Sequence, residues 1–259
     1  MTTGIERRLS PEEEELSKKR DELALLRVQL AERELCLANL RAELGALEGR
    51  YLRQVGVLYA ELDEWNARLA ELTAEEKRTE EARSAATQAR AHAEESHAAA
   101  HGEAANAKEF APSAELKSLY RELAKRVHPD LAIDEADRKQ RERLMAEANR
   151  AYQNGDAEAL RRILHEYESS PDSIRGTGVA ADLVRVLRQL KQVRNRLAQI
   201  EEEITGLEGS EIATLQAKAE DASRKGRDLL AEMAADVQGR INVARRQYDG
   251  EVTRAKTVR

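Results

Sequence analysis

Aromatic side chains are scarce in this chain: 259 residues hold one Phe, one Trp and six Tyr, 3% aromatic in all. So little ring volume excludes a large core built on aromatic packing. Proline is rarer still, with four residues, so few positions force a helix to stop. Cys36 is the single cysteine, which excludes an internal disulfide and any CxxC zinc module. No apolar run approaches the roughly 20 residues that span a bilayer. The opening MTTGIERRLSPEEEE has no hydrophobic segment for secretion, so a cytoplasmic protein is expected. Both signs of charge are mixed along the length and sum to −6, which favours neither nucleic acid nor an anionic membrane as a partner.

What is present is Ala, Leu, Glu, Arg and Lys, with 36% of residues charged. That is the composition of long helices and coiled coils, and an all-α molecule follows. Ser10 and Pro11 before four glutamates make a good helix start: a capping side chain, proline in the first turn, and acid at the positive end of the dipole. Leu16, Leu23, Leu30, Leu37, Leu44, Tyr51, Leu58, Trp65 and Leu72 recur every seventh residue, a coiled-coil seam over about 85 Å of helix. Companion residues Leu26, Leu40 and Leu47 lie three positions after a heptad leucine, whereas Val55, Leu62 and Leu69 lie four after, which implies a stutter near Tyr51. Lys19 and Arg33 stand where the seam wants apolar residues.

From Glu75 to Ala107 only alanine is left to bury, so 75–110 reads as a helical spacer or a frayed linker. His97 and His101 share a face there, but no third convergent ligand accompanies them and no metal is expected. Residues 111–172 form a compact unit. Pro112 and Ser113 open a helix with an apolar face of Leu116, Leu119, Tyr120, Leu123 and Val127, ended by Pro129 at His128. A second helix, about Asp137 to Gln153, turns Leu144, Met145, Ala148, Ala151 and Tyr152 inward, and Asn154-Gly155 closes it in left-handed geometry. Asp156 caps a third helix through Tyr167. Ser169, Ser170, Pro171, Gly176 and Gly178 mark a hinge. A second heptad seam then runs Leu183, Val186, Leu190, Val193, Leu197, Ile200, Ile204 and Leu207. The predicted organisation is a tail at 1–10, a coiled coil at 11–74, the spacer at 75–110, the unit at 111–172, and a C-terminal coiled coil at 173–259 with a candidate break at 206–210.

Residues 11–74 are predominantly acidic, whereas Arg185, Arg188, Lys191, Arg194 and Arg196 cluster in the second seam. Antiparallel folding of the C-terminal coil onto the N-terminal arm is one expectation, and parallel self-association into a homo-oligomer is the other.

Lys117, Arg121 and Lys125 share one helix face that leads to His128, with Arg126 on its rim. A basic face ending in an exposed, proline-stiffened corner that offers a carboxylate suits a mostly acidic protein partner with one cationic site. The pattern LKSLYRELAKRVHPD followed by RLMAEANRAY resembles helices two and three of a J-domain, the module of DnaJ-like co-chaperones. About sixty residues carry the resemblance. It implies that His128, Pro129 and Asp130 form a triggering loop, that Lys117, Arg121, Lys125 and Arg126 form a docking face, and that the partner is a DnaK-type chaperone ATPase whose ATP hydrolysis is stimulated. The family's usual first helix is absent next to this unit, as are its Gly/Phe-rich, cysteine-rich and β-rich client segments; the spacer helix is the candidate substitute. The expected architecture is therefore long coiled-coil helices flanking a small J-domain-like hairpin. The coils would bind an unknown client, with no cofactor and no catalytic residues of the chain's own. A structural coiled-coil scaffold, in which the hairpin is only a packing element, is the alternative, and exposure of the corner discriminates the two.

Overall fold

The computed structural model describes residues 10–102, 110–132, 134–168 and 178–257, and all their regular structure is helical. The fold is all-α, as the composition requires. In chain order the helices are α1 (Pro11–Tyr51), a π-helical turn (Leu52–Gly56), α2 (Val57–Lys77), α3 (Glu80–His101), α4 (Ala114–Val127), a 3-10 turn (Pro129–Leu131), α5 (Glu135–Gln153), α6 (Ala157–Glu168), α7 (Val179–Glu208), α8 (Glu211–Arg224) and α9 (Leu229–Thr257). They fall into two compact units, one from the described parts of Met1–Ala42 and Phe110–Glu208, the other from Glu43–Glu109 and Gly209–Arg259. Among the described residues no helix is long and apolar enough to cross a membrane.

In the first unit, α1 begins with a reciprocal capping box. The Glu13 amide donates to Ser10 Oγ and the Ser10 amide to Glu13 Oε2, which satisfies donors that the first turn leaves open. Leu16, Leu23, Leu30 and Leu37 are buried in one cluster with Val186, Leu190, Val193, Ile200 and Ile204 of α7. The polar partners flanking this seam fix its direction. Arg20 donates to Asp182, Arg27 to Gln189, Arg196 to Glu34 and Arg41 to Glu203, and every pair is 162 residues apart. A constant difference at steps of seven means that both helices advance together, so α7 runs parallel to α1. The antiparallel expectation is corrected on that ground. Arg33, a seam defect in the sequence, reaches outward to Glu201 at 2.8 Å.

The same unit contains α4, α5 and α6. Ser113 Oγ, Asp134 Oδ1 and Asp156 Oδ1 accept the amides of Leu116, Asp137 and Ala159, capping the three helices. α5 closes at Gly155 (φ +71°), where Asp156 N–H donates to Ala151 O and Gly155 N–H to Tyr152 O, the paired bonds of a Schellman motif. The expected faces are the buried ones: Leu116, Tyr120, Leu123 and Val127 of α4 meet Leu144, Met145, Ala148, Ala151 and Tyr152 of α5, with Leu160 and Ile163 of α6. Ala31, Leu35 and Ala38 of α1 complete that cluster. α1 thus supplies a fourth helix to the hairpin's core, and Phe110 packs against it. The expected hinge residues 169–177 lie outside the described residues, and Gly178 has φ +125°.

In the second unit, the π-helical turn follows Tyr51, where the companion positions change from three to four after the heptad leucine. A π turn takes one extra residue, which is a shift of one position. α2 ends at Arg78 in left-handed geometry (φ 54°), and Thr79 caps α3. Arg90 binds Glu71 and Glu64 while Ser96 binds Asp63, so the partners advance in opposite senses and α2 and α3 are antiparallel. Ala86, Ala93 and Ala100, seven apart, are the residues α3 buries. The spacer expected at 75–110 is corrected accordingly: a helix whose alanines allow close approach packs back on α2, while 103–109 lie outside the described residues. α9 runs parallel to α2, with Arg240 over the Tyr59 ring and Arg245 and Tyr248 against Trp65. Two breaks divide the C-terminal segment. One falls between Glu208 and the N-cap Ser210, inside the expected 206–210. The other is a Schellman turn at Gly226 (φ +73°), where the Arg227 N–H donates to Ala222 O.

Candidate partner-binding site

The basic α4, the His-Pro-Asp corner and α5 form an antiparallel hairpin. Tyr120 Oη donates to Asn149 Oδ1 at 2.6 Å near one end, and Arg141 Nη1 donates to the Arg126 carbonyl at 2.7 Å near the other. Pro129 cannot continue α4, so His128 takes extended geometry (φ −58°, ψ 134°) and Pro129–Leu131 make one 3-10 turn. The Leu131 amide donates to His128 O and the Ala132 amide to Pro129 O. Arg141, 7% exposed, stiffens the corner from below: besides Arg126 O it holds Asp137 Oδ1 and Tyr167 Oη. A guanidinium on a last-turn carbonyl is a favourable C-terminal cap.

The expected exposure of the corner is not what is found. His128 is 3% exposed. Its Nε2 lies 2.9 Å from Glu34 Oε1 of α1, and its Nδ1 accepts the Asp130 amide at 3.2 Å. Acceptance at Nδ1 places the ring proton on Nε2, facing the carboxylate. Glu34, itself 5% exposed, takes a second charge-assisted bond from Arg196 Nε of α7 at 2.9 Å, and Arg196 also binds Glu203. Burial pushes the Glu34 carboxyl up, but the hydrogen bonds from His128 and Arg196 and the Arg196 charge outweigh it and hold the group below its ordinary value. Asp130 is half-buried, and burial raises its carboxyl against the pull of His128 and Arg196. Leu131 is buried among the α1 and α7 leucines, and Gln189 donates to its carbonyl. The physical reason for burial is therefore a matched set: an apolar residue beside the tripeptide fills the seam, and a carboxylate from the seam's flank, itself held by a guanidinium, satisfies the imidazole.

The docking-face residues divide. Lys125 and Arg126 are exposed, with Arg126 alongside Glu122 at 2.6 Å. Lys117 and Arg121 are half-buried, and Arg121 donates to Glu32 of α1 at 3.0 Å. Sequence reasoning missed Glu34, Arg141, Gln189 and Arg196. The signal for three of them was the polar series 20, 27, 34, 41 against 182, 189, 196, 203, visible only once the helices are set parallel. Elsewhere His97 and His101 stack with ring centroids 4.2 Å apart, and His92 Nδ1 lies 3.2 Å from Asp63. Among the described residues no three His, Cys, Asp or Glu side chains gather as a metal site, and Cys36 is exposed. No family model matches the chain, and neither a curated protein nor a solved structure does.

Proposed function

We propose that the chain is a J-domain-type co-chaperone adaptor of the cytoplasm. Its hairpin recruits a DnaK-type chaperone ATPase and stimulates ATP hydrolysis, while the long helices hold a protein client. The observation that carries this reading is the combination at α4 to α5: a basic helix ended by His128-Pro129-Asp130 in a rigid turn, followed by an antiparallel helix whose Ala151 and Tyr152 are buried against it. Lys125 and Arg126 stand beside the corner, where an acidic partner surface gains encounter rate and register from them. α1 and α7 leave Leu25, Val28, Val184 and Leu187 exposed, apolar side chains suited to a client contact.

Stimulation of a DnaK-type ATPase by the full chain tests the reading. Asp130→Asn is the informative variant, because Asp130 is only half-buried and the substitution keeps its shape. Loss of stimulation in Asp130→Asn, with helix content unchanged, supports the reading; equal stimulation by both proteins sinks it.

One observation favours the second reading, a scaffold in which the hairpin is a packing element: His128 and Glu34 are buried together. In a scaffold, His128→Gln would lower stability and change no chaperone's turnover.

A further inference from the structure

We propose that α7 is an autoinhibitory strap across the Asp130–Leu131 side of the corner, and that its displacement from α1 uncovers that side while the hairpin stays folded and His128 keeps its bond to Glu34. What the corner then engages rests on the co-chaperone reading.

The contacts separate into two sets. The hairpin's apolar core consists of α4, α5 and α6 with Ala31, Leu35 and Ala38 of α1, and no residue of α7 belongs to it. α7 instead packs on the opposite cluster of α1, through Val186, Leu190, Val193, Ile200 and Ile204, and the single corner residue in that cluster is Leu131. Its other hold on the corner is polar: Gln189 on the Leu131 carbonyl and Arg196 on the Glu34 carboxylate that faces His128. Removing α7 would therefore leave the hairpin's buried tyrosines and leucines in place and expose Leu131 and Asp130.

The strap is held firmly enough to matter and loosely enough to move. Several of its flanking ion pairs with α1 are largely solvent-exposed, Arg33–Glu201 and Arg20–Asp182 among them, and such pairs contribute little each. Its seam residues form a heptad stripe, which any amphipathic helix with the same spacing could replace on α1. A client helix that competes for this stripe would couple client capture to release of the corner, because both equilibria share α7.

The test uses the full chain with Val193→Asp, which places a charge in a seam position with no exposure and touches no residue of the hairpin core. Hydrogen exchange at the amides of Asp130, Leu131 and Ala132 reads the cover, and exchange at Leu123 and Ala148 reads the hairpin. ATPase stimulation of a DnaK-type chaperone reads the consequence. Corner exchange is expected to rise about tenfold with hairpin exchange unchanged, and the concentration for half-maximal stimulation to fall about tenfold. Unchanged corner exchange overturns the strap, as does faster corner exchange when the wild type stimulates measurably and the variant stimulates no better. Faster corner exchange with no stimulation by either protein leaves the strap standing and removes the co-chaperone reading instead. Should Val193→Asp also loosen the hairpin, the milder pair Gln189→Ala and Arg196→Ala decides: about threefold faster corner exchange supports the strap, and no change overturns it.

Discussion

Tyr152 offers the sharpest measure of whether α1 has become part of the hairpin. The residue has no exposed surface, its ring lies 4.6 Å from that of Tyr120 and 5.6 Å from that of Phe110, and its hydroxyl donates to Asn39 Oδ1 of α1 at 2.6 Å. Tyr152→Phe keeps the ring and deletes the hydroxyl, so the packing is unchanged and the hydrogen bond is what the variant loses. A neutral hydrogen bond of this kind contributes about 1 kcal/mol net; Asn39 is half-buried, so its orphaned oxygen reaches water and the loss stays near that value. Asn39→Ala removes the same bond from the other side. The double variant should then cost about 1 kcal/mol less than the two single costs added together. With a urea slope of about 2 kcal/mol per molar, each single variant lowers the midpoint by about 0.5 M. A coupling below about 0.3 kcal/mol would refute the bridging role of α1.

Two further outcomes are expected. Arg78 sits in left-handed geometry at the end of α2 with its amide on Ala74 O. A side chain there costs about 1 kcal/mol that glycine avoids. Arg78→Gly should therefore raise the urea midpoint read by Trp65 fluorescence, and an unchanged or lower midpoint would count against the local strain. The second outcome concerns acid. Glu34 has its carboxyl lowered in the folded chain, so its stabilisation is complete above the ordinary value of 4.5 and fades as pH falls through the lowered one. Glu34→Gln should cost about 1–3 kcal/mol at pH 7 and progressively less below about pH 4.5. Asp130, raised by burial, acts with the opposite sign, its contribution lost as pH rises. The Glu34 charge adds to that rise, so Glu34→Gln also relaxes Asp130, and the fading of the difference at low pH is the part that belongs to Glu34. A difference that stays constant down to pH 3 in urea unfolding would remove the buried ion pair from the account.

Much of the fold is legible in the sequence because helices announce themselves by period and punctuation. The capping box at Ser10, the stop at Pro129, the Asn154-Gly155 closure and the cap at Asp156 each depend on residues within one turn, and each is found where the local chemistry puts it. The shift of companion positions near Tyr51 has a physical body in the π-helical turn. Partnering is harder to read. Ala86, Ala93 and Ala100 recur every seven residues, but alanine stripes are common in solvated helices, and nothing local distinguishes a stripe that packs from one that does not. The net charge of the two seams also misleads about direction. Sign alone pairs an acidic arm with a basic one in either orientation, whereas the register of individual charges, Arg20 with Asp182 and Glu34 with Arg196, admits the parallel one.

The corner itself illustrates what a motif can and cannot specify. His128, Pro129 and Asp130 fix the turn from within five residues, but their cover comes from Glu34, 94 positions upstream of His128, and from Gln189, 58 positions downstream of Leu131. Leu131 is the hinge between the two scales: adjacent to the tripeptide in sequence, it belongs in space to the α1 and α7 seam. An apolar residue in a tight turn is ordinary and raises no suspicion on its own. It gains meaning only beside Glu34, a carboxylate that α1 buries four residues after Leu30, where solvent would serve it better unless two donors converge on it. Those donors are the imidazole of the corner and the guanidinium of the strap. A chain with the same hairpin but alanine at 34 and 196 would lose both charged tethers, and the turn at 128–131 would then be held against the helix pair by Leu131 and the Gln189 bond alone.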